Sequence, residues 1–217
     1  MSNSTELHLR EQLLKTACNL SSLGLNRGTS GNLSVRVTEK NWLVTPSGLP
    51  VSELTTEAMV LMDFEGQTIP TGIPSSEWRF HRDILLSRPE VNAVIHTHST
   101  FATAMSCVHK DIPAFHYMIA VGGGESIRCS PYALFGSQEL SRHAIAALEN
   151  RKACLLGNHG MIALGKDLNR ALALTVEVES LCEQYMIALQ LGTPRILNSS
   201  QMKDVLLSFQ NYGQFNT

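Results

Sequence analysis

Two pairs of short apolar runs lie only a few residues apart in this chain: residues 33–37 with 42–45, and 153–156 with 161–164. Each run is rich in β-branched and aliphatic residues, and the first alternates as a half-buried strand does. Parallel neighbours need a crossover of about a dozen residues or more, so connections as short as 38–41 and 157–160 demand antiparallel pairing. Further strands are predicted at 59–63 and 93–98. Helices are predicted at 6–23, 76–87, 100–108, 138–149, 168–190 and near 200–210. Gly24 stops the first helix, and Arg88-Pro89 closes the second. With no internal repeat or composition break, the expectation is one α/β domain over residues 1–217 with a mainly antiparallel central sheet.

Charge and composition exclude several classes of function. The chain carries 17 basic against 19 acidic residues, a net charge of −2, and the basic residues form no run, so neither nucleic acid nor an anionic membrane is an expected partner. No apolar stretch approaches the ~20 residues a membrane helix needs. Glu6, Arg10, Glu11 and Lys15 interrupt the N-terminal segment, which rules out a signal-peptide core there and leads to an expected cytoplasmic location. The five cysteines (Cys18, Cys107, Cys129, Cys154, Cys182) are scattered and never spaced as CxxC, which disfavours a disulfide framework or a thiolate metal site. A metal here must be held by histidine and carboxylate.

His96-Thr97-His98 supplies such ligands. A strand alternates its side chains with period two, so both imidazoles leave the same face and can converge on one ion. His159 lies in the turn Gly157-Asn158-His159-Gly160, where glycine permits close backbone approach. Glu77 falls in Pro74-Ser75-Ser76-Glu77-Trp78-Arg79-Phe80-His81, at the first turn of a predicted helix, with Ser75 or Ser76 as the expected cap. Three neutral nitrogens and one displaceable carboxylate suit a catalytic Zn2+ site. The bland alternatives are edge histidines on a solvated strand and an ordinary first-turn acid. His81, one turn after Glu77, is expected either to stand behind the metal ligands or simply to belong to the helix face, with packing favoured, whereas His8, His109 and His143 are expected to be solvated or partly packed.

The segments Gly24–Asn32, Pro74–His81, Asn92–His98, Ile112–Ala120, Pro131–Gly136 and His159-Gly160 together resemble the class II aldolase/adducin family, in order and over nearly the whole chain. The resemblance implies a three-layer α/β/α sandwich assembled as a homotetramer with active sites between subunits. It implies Zn2+ on Glu77, His96, His98 and His159. It also implies a phosphate pocket made by Gly31 and Asn32, Ser47 and Gly48, and Ser75 and Ser76. Turn backbones and hydroxyls, with one pair at a helix N-terminus, suit a dianion without a basic cluster.

The implied reaction is reversible cleavage of a phosphorylated sugar, L-fuculose 1-phosphate or a related ketose 1-phosphate, to dihydroxyacetone phosphate and L-lactaldehyde or another aldehyde, through a metal-stabilised ene-diolate. Glu77 is then both ligand and base, and Tyr117 of a neighbouring subunit, assisted by Tyr212, protonates the aldehyde oxygen. Three features depart from the family pattern: Asn158 stands where a second histidine is frequent, Ser47 where threonine is usual, and the tail Gln214–Thr217 lacks the usual basic residue. The rival expectations are a sugar-phosphate epimerase or decarboxylase on the same scaffold and a non-catalytic adducin-like module.

Overall fold

The computed structural model describes residues 3–70 and 72–211. Six α-helices and eight strands follow in the order α1 (Asn3–Ser22), β1 (Asn32–Arg36), β2 (Asn41–Val44), β3 (Val60–Asp63), α2 (Trp78–Ser87), β4 (Ala93–Thr97), α3 (Thr100–Ser106), β5 (Ile112–Pro113), β6 (Ser126–Ser130), α4 (Gln138–Ala147), β7 (Ala153–Leu156), β8 (Gly160–Gly165), α5 (Leu168–Leu191) and α6 (Ser199–Asn211). The strands form one sheet in the order β3-β2-β1-β4-β8-β7-β6-β5. The short connections do give antiparallel pairs, β1 with β2 and β7 with β8.

The expectation of a mainly antiparallel sheet left out β6 and has to be corrected to a mixed eight-stranded sheet. β6 runs parallel to β7. Between them lies α4, a crossover long enough to bring the chain back in the same direction. The sequence Ser126-Ile127-Arg128-Cys129-Ser130 hides this strand, because Ile127 is its one fully buried aliphatic side chain.

Alternation along the strands sorts the core. Val94, Cys154, Leu156, Ile162 and Leu164 pack with Phe80, Ile84 and Leu85 of α2 and with Leu140 and Ala144 of α4. Their immediate neighbours point the other way. Ala93 and Ile95 pack with α1 and the start of α5, and Ala153, Leu155, Met161 and Ala163 with α3, α5 and Met202 of α6. Burying a side chain such as Phe80 or Leu85 stabilises by about 1.5–3 kcal/mol, so α2 is fixed firmly against the sheet. Among the described residues no helix is long and apolar enough to cross a membrane.

Register gathers the candidate residues at one end of the sheet. Asn32, the first residue of β1, pairs with His96 near the end of β4. His96 pairs in turn with Ile162, and Thr97 with Met161, which brings the β7–β8 turn alongside. By alternation His96 shares the face of Val94, toward α2, and its ring meets Phe80 edge-on at 5.5 Å. Glu77 stands directly before α2 on that same side.

Candidate active site and metal centre

Each imidazole is delivered by a different local device. His96 is held by the β4 ladder, and its Nδ1–H donates to the Met161 carbonyl at 2.9 Å, which leaves the Nε2 lone pair facing inward. His98 follows one residue after the strand ends. His159 sits in the β7–β8 turn, where its backbone N–H donates to Ser106 Oγ at 3.2 Å. Gly160 is required beside it, since a Cβ there would run into the Thr97 carbonyl oxygen.

Glu77 is itself the N-cap of α2, and its side chain makes no capping bond. This corrects the expectation that Ser75 or Ser76 caps the helix. Ser75 Oγ instead accepts the Glu77 N–H at 3.3 Å. Released from capping, the carboxylate turns to the histidines: Oε2 lies 3.2 Å from His96 Nε2 and Oε1 3.3 Å from His159 Nε2. His96 Nε2 and His98 Nε2 are 3.0 Å apart.

These separations fit a metal. The edge of a tetrahedron with Zn–ligand bonds of ~2.0–2.1 Å is about 3.3 Å. One ligand atom from each of Glu77, His96, His98 and His159 lies within 4.8 Å of all the others. Glu77 Oε1 is buried with no hydrogen-bond donor, a state costly for a carboxylate oxygen unless a cation completes it. The four side chains can therefore hold a metal ion.

Burial lowers His98 and His159 to about 4, helped by His96 and partly opposed by Glu77. Both are neutral at pH 7, the state in which an imidazole can bind a metal. Burial would raise the Glu77 carboxyl, but His96, His159 and the Asn32 hydrogen bond together outweigh it and hold it well below the ordinary carboxylate range.

A stability dependence follows for the metal-free protein. In the unfolded chain His98 and His159 return to the ordinary 6.5, so below that pH the unfolded state binds more protons. The stability these groups confer is complete above 6.5 and is lost as pH falls to about 4. Urea denaturation of the metal-free protein should give a lower midpoint at pH 4.5 than at pH 7, with a smaller difference in His159→Gln. An equal difference in that variant would remove His159 from the account.

Beside the metal group opens a pocket of about 350 Å³. Gly31, Asn32, Ser47, Gly48, Ser75 and Ser76, all the residues expected to hold a phosphate, line it together with Glu77, His98 and His159. Tyr132, Ala133 and Phe135 add an apolar wall. Asn158 lines it too, in a left-handed conformation (φ 54°), and its side-chain Oδ1 contacts His109 Nε2. Gly31 has φ +77°, and a Cβ at this position would strike the Asn26 amide. Gly31→Ala should therefore cost about 1–3 kcal/mol in denaturant unfolding and weaken competitive inhibition by inorganic phosphate. A variant as stable as the parent would show that the loop tolerates a side chain.

One expected participant, Tyr117, stands apart from this pocket. Tyr117 begins a 3-10 helix (Tyr117–Gly122), is half exposed, and stacks on Phe209 at 6.4 Å rather than lining the cavity. Tyr212 and the tail Gln214–Thr217 lie outside the described residues. His81, for which packing is favoured over a role behind the metal ligands, is fully buried and engaged through both ring nitrogens, by Ser34 Oγ at 2.7 Å and Asn32 Oδ1 at 2.6 Å. Burial drives it down to about 3, so it is neutral. Its spacing from Glu77 was the one signal in the sequence, and spacing does not report burial.

Known proteins identify the arrangement. The profile described as Class II Aldolase and Adducin N-terminal domain matches residues 11–186. The chain belongs to the class II aldolase and adducin family. A 5-methylthioribulose-1-phosphate/5-deoxyribulose-1-phosphate aldolase of Rhodospirillum rubrum is 52% identical over 209 residues, covering 96% of this chain and 94% of its own. An L-fuculose phosphate aldolase of Escherichia coli is 46% identical over 206 residues, covering 94% and 95%. The solved structure of an L-fuculose 1-phosphate aldolase superposes with a TM-score of 0.90 at 35% identity, covering 97% of this chain and 98% of that one. The chain thus has the class II aldolase fold and, by family, is a class II aldolase.

Proposed function

We propose that this chain is a Zn2+-dependent aldolase that reversibly cleaves a ketose 1-phosphate to dihydroxyacetone phosphate and an aldehyde. The observation that carries the reading is the convergence of Glu77, His96, His98 and His159 on the wall of a pocket rimmed by hydroxyl- and glycine-bearing loops. The packing of α2 and α4 on one set of strand side chains, and of α1, α3, α5 and α6 on the other, supports a three-layer α/β/α single domain. A cytoplasmic location fits a small phosphorylated substrate.

The phosphate is received by the Ser47, Ser75 and Ser76 hydroxyls and the Gly31 and Gly48 backbone, with the N-terminus of α2 adding its dipole. A bound Zn2+ supplies a Lewis acid for the negative charge that develops on the substrate carbonyl oxygen. In the condensation direction Glu77 takes the proton from the carbon that becomes nucleophilic, and cleavage returns it. Away from the imidazoles the carboxyl keeps the burial that raises its pKa and loses the charges that lower it, so it becomes the stronger base that the step needs. Tyr117 protonates the aldehyde oxygen from a neighbouring subunit of a homotetramer. Its half-exposed position outside its own chain's pocket supports that assignment. Tyr212 is assigned to assist.

The wall of Tyr132, Ala133 and Phe135 favours a ketose with an apolar end, such as the methyl of L-fuculose 1-phosphate or the methylthio group of 5-methylthioribulose 1-phosphate. Cleavage of these two, of 5-deoxyribulose 1-phosphate and of L-ribulose 5-phosphate, coupled to dihydroxyacetone phosphate detection, tests the reading. Triose phosphate from at least one ketose 1-phosphate is expected. Epimerisation of L-ribulose 5-phosphate with no triose phosphate from any ketose would replace the aldolase by the epimerase reading.

A further inference from the structure

His81, Asn32 and Glu77 form a single hydrogen-bonded line. His81 Nε2 lies 2.6 Å from Asn32 Oδ1, and Asn32 Nδ2 donates to Glu77 Oε2 at 3.0 Å. At the far end His81 Nδ1 lies 2.7 Å from Ser34 Oγ. Asn32 and Ser34 sit two residues apart on one face of β1, and His81 lies one turn beyond Glu77 on α2. All four side chains are buried.

The direction of the line is determined by what each group can do. A carboxylate only accepts, so Asn32 must turn its NH2 toward Glu77 and its carbonyl toward His81. That carbonyl also only accepts, so the neutral His81 carries its proton on Nε2 and accepts the Ser34 hydroxyl on Nδ1. Were the amide reversed, its oxygen would oppose Glu77 Oε2 and its NH2 would oppose the His81 N–H. Both contacts would be lost inside a low-dielectric core.

We infer that His81 is a positioning residue: by fixing the orientation of the Asn32 amide it holds Glu77 Oε2 and leaves Oε1 aimed at the metal position. Oε1 is the oxygen that is buried without a hydrogen-bond donor. Asn32 also lines the phosphate pocket, so one amide lies between the phosphate loops and the base. This inference rests on the metal-site reading given above. The competing account is simple packing, since the His81 ring also stacks on Phe80 at 4.6 Å.

The test compares His81→Leu with His81→Gln, which retains an N–H donor near the Nε2 position. Zinc affinity of the metal-free protein is read by competition with a chromophoric chelator, kcat and KM by cleavage of the best ketose 1-phosphate, and folding by thermal melting. His81→Leu should weaken zinc binding by about 10–100-fold and lower kcat more than it raises KM, and His81→Gln should restore most of both. Asn32→Ala should produce a comparable loss, and His81→Leu should add little in that background. Should the leucine variant not fold, Ser34→Ala, which removes the hydroxyl that sets the tautomer, should weaken zinc binding in the same direction. Wild-type zinc affinity in His81→Leu, or in Ser34→Ala where the leucine variant does not fold, assigns His81 to packing, as do equal losses in the Leu and Gln variants or additive losses with Asn32→Ala. If the aldolase reading alone is wrong, no ketose is cleaved by any form, while the zinc measurement still reports on His81.

Discussion

His96→Ala should lose tight zinc binding and reduce ketose 1-phosphate cleavage by about 10³-fold or more, the rate equivalent of the several kcal/mol that a Lewis acid contributes. His96 is the centre of the group: its Nε2 faces both Glu77 Oε2 and His98 Nε2, and its Nδ1 is tied to the Met161 carbonyl. Among the described residues Glu77, His96, His98 and His159 form the one such group, so none of the others is placed to replace that nitrogen. The loss has to be separated from damage to the core, because His96 is wholly buried against Phe80. Chelation of the unaltered protein makes the separation. A chelator should abolish cleavage while the sheet and helices persist by circular dichroism, since the hydrophobic clusters do not depend on the ion. Unfolding on chelation would make the site structural; unchanged activity in His96→Ala would remove the metal from the chemistry.

Glu77→Gln should reduce cleavage by about 10²–10⁴-fold, the range that a positioned general base contributes. The amide keeps the size of the carboxylate and can still accept from Asn32 Nδ2 through its own oxygen. What it cannot do is take a proton at neutral pH. At saturating zinc, which offsets the loss of a charged ligand, the variant should therefore melt close to the parent and bind phosphate normally, with its deficit confined to kcat. A variant with normal kcat and raised KM would show that Glu77 serves binding and that another group is the base.

Much of this site was legible in the sequence because strand geometry is simple. Period two placed His96 and His98 on one face, and the glycine-flanked turn at 157–160 singled out His159; it is the pairing of β4 with β8 that sets the turn beside them. Glu77 was legible only as a first-turn acid, because nothing in the sequence tells whether a carboxylate caps its own helix or turns away from it. The polar surroundings of His81 were not legible for a related reason. Helical spacing put it near Glu77, but its polar partners, Ser34 and Asn32, are on a strand more than forty positions earlier, and only the tertiary fold joins them. β6 escaped notice because Ile127 alone carries its apolar signal, and with it went the parallel pair that makes the sheet mixed. The Tyr117 assignment came from family resemblance, since a half-exposed tyrosine on a 3-10 turn has no local feature of a proton donor.

The central claim, that this chain uses a metal and Glu77 to remove a proton beside a carbonyl, is tested most directly without any aldehyde. Zinc-loaded protein is incubated with dihydroxyacetone phosphate in deuterium oxide, and exchange at the hydroxymethyl carbon is followed by proton NMR. One of the two prochiral hydrogens should exchange, the exchange should stop on chelation and return with zinc, and Glu77→Gln should show none. Exchange that persists in the chelated protein, or in Glu77→Gln, would contradict the account.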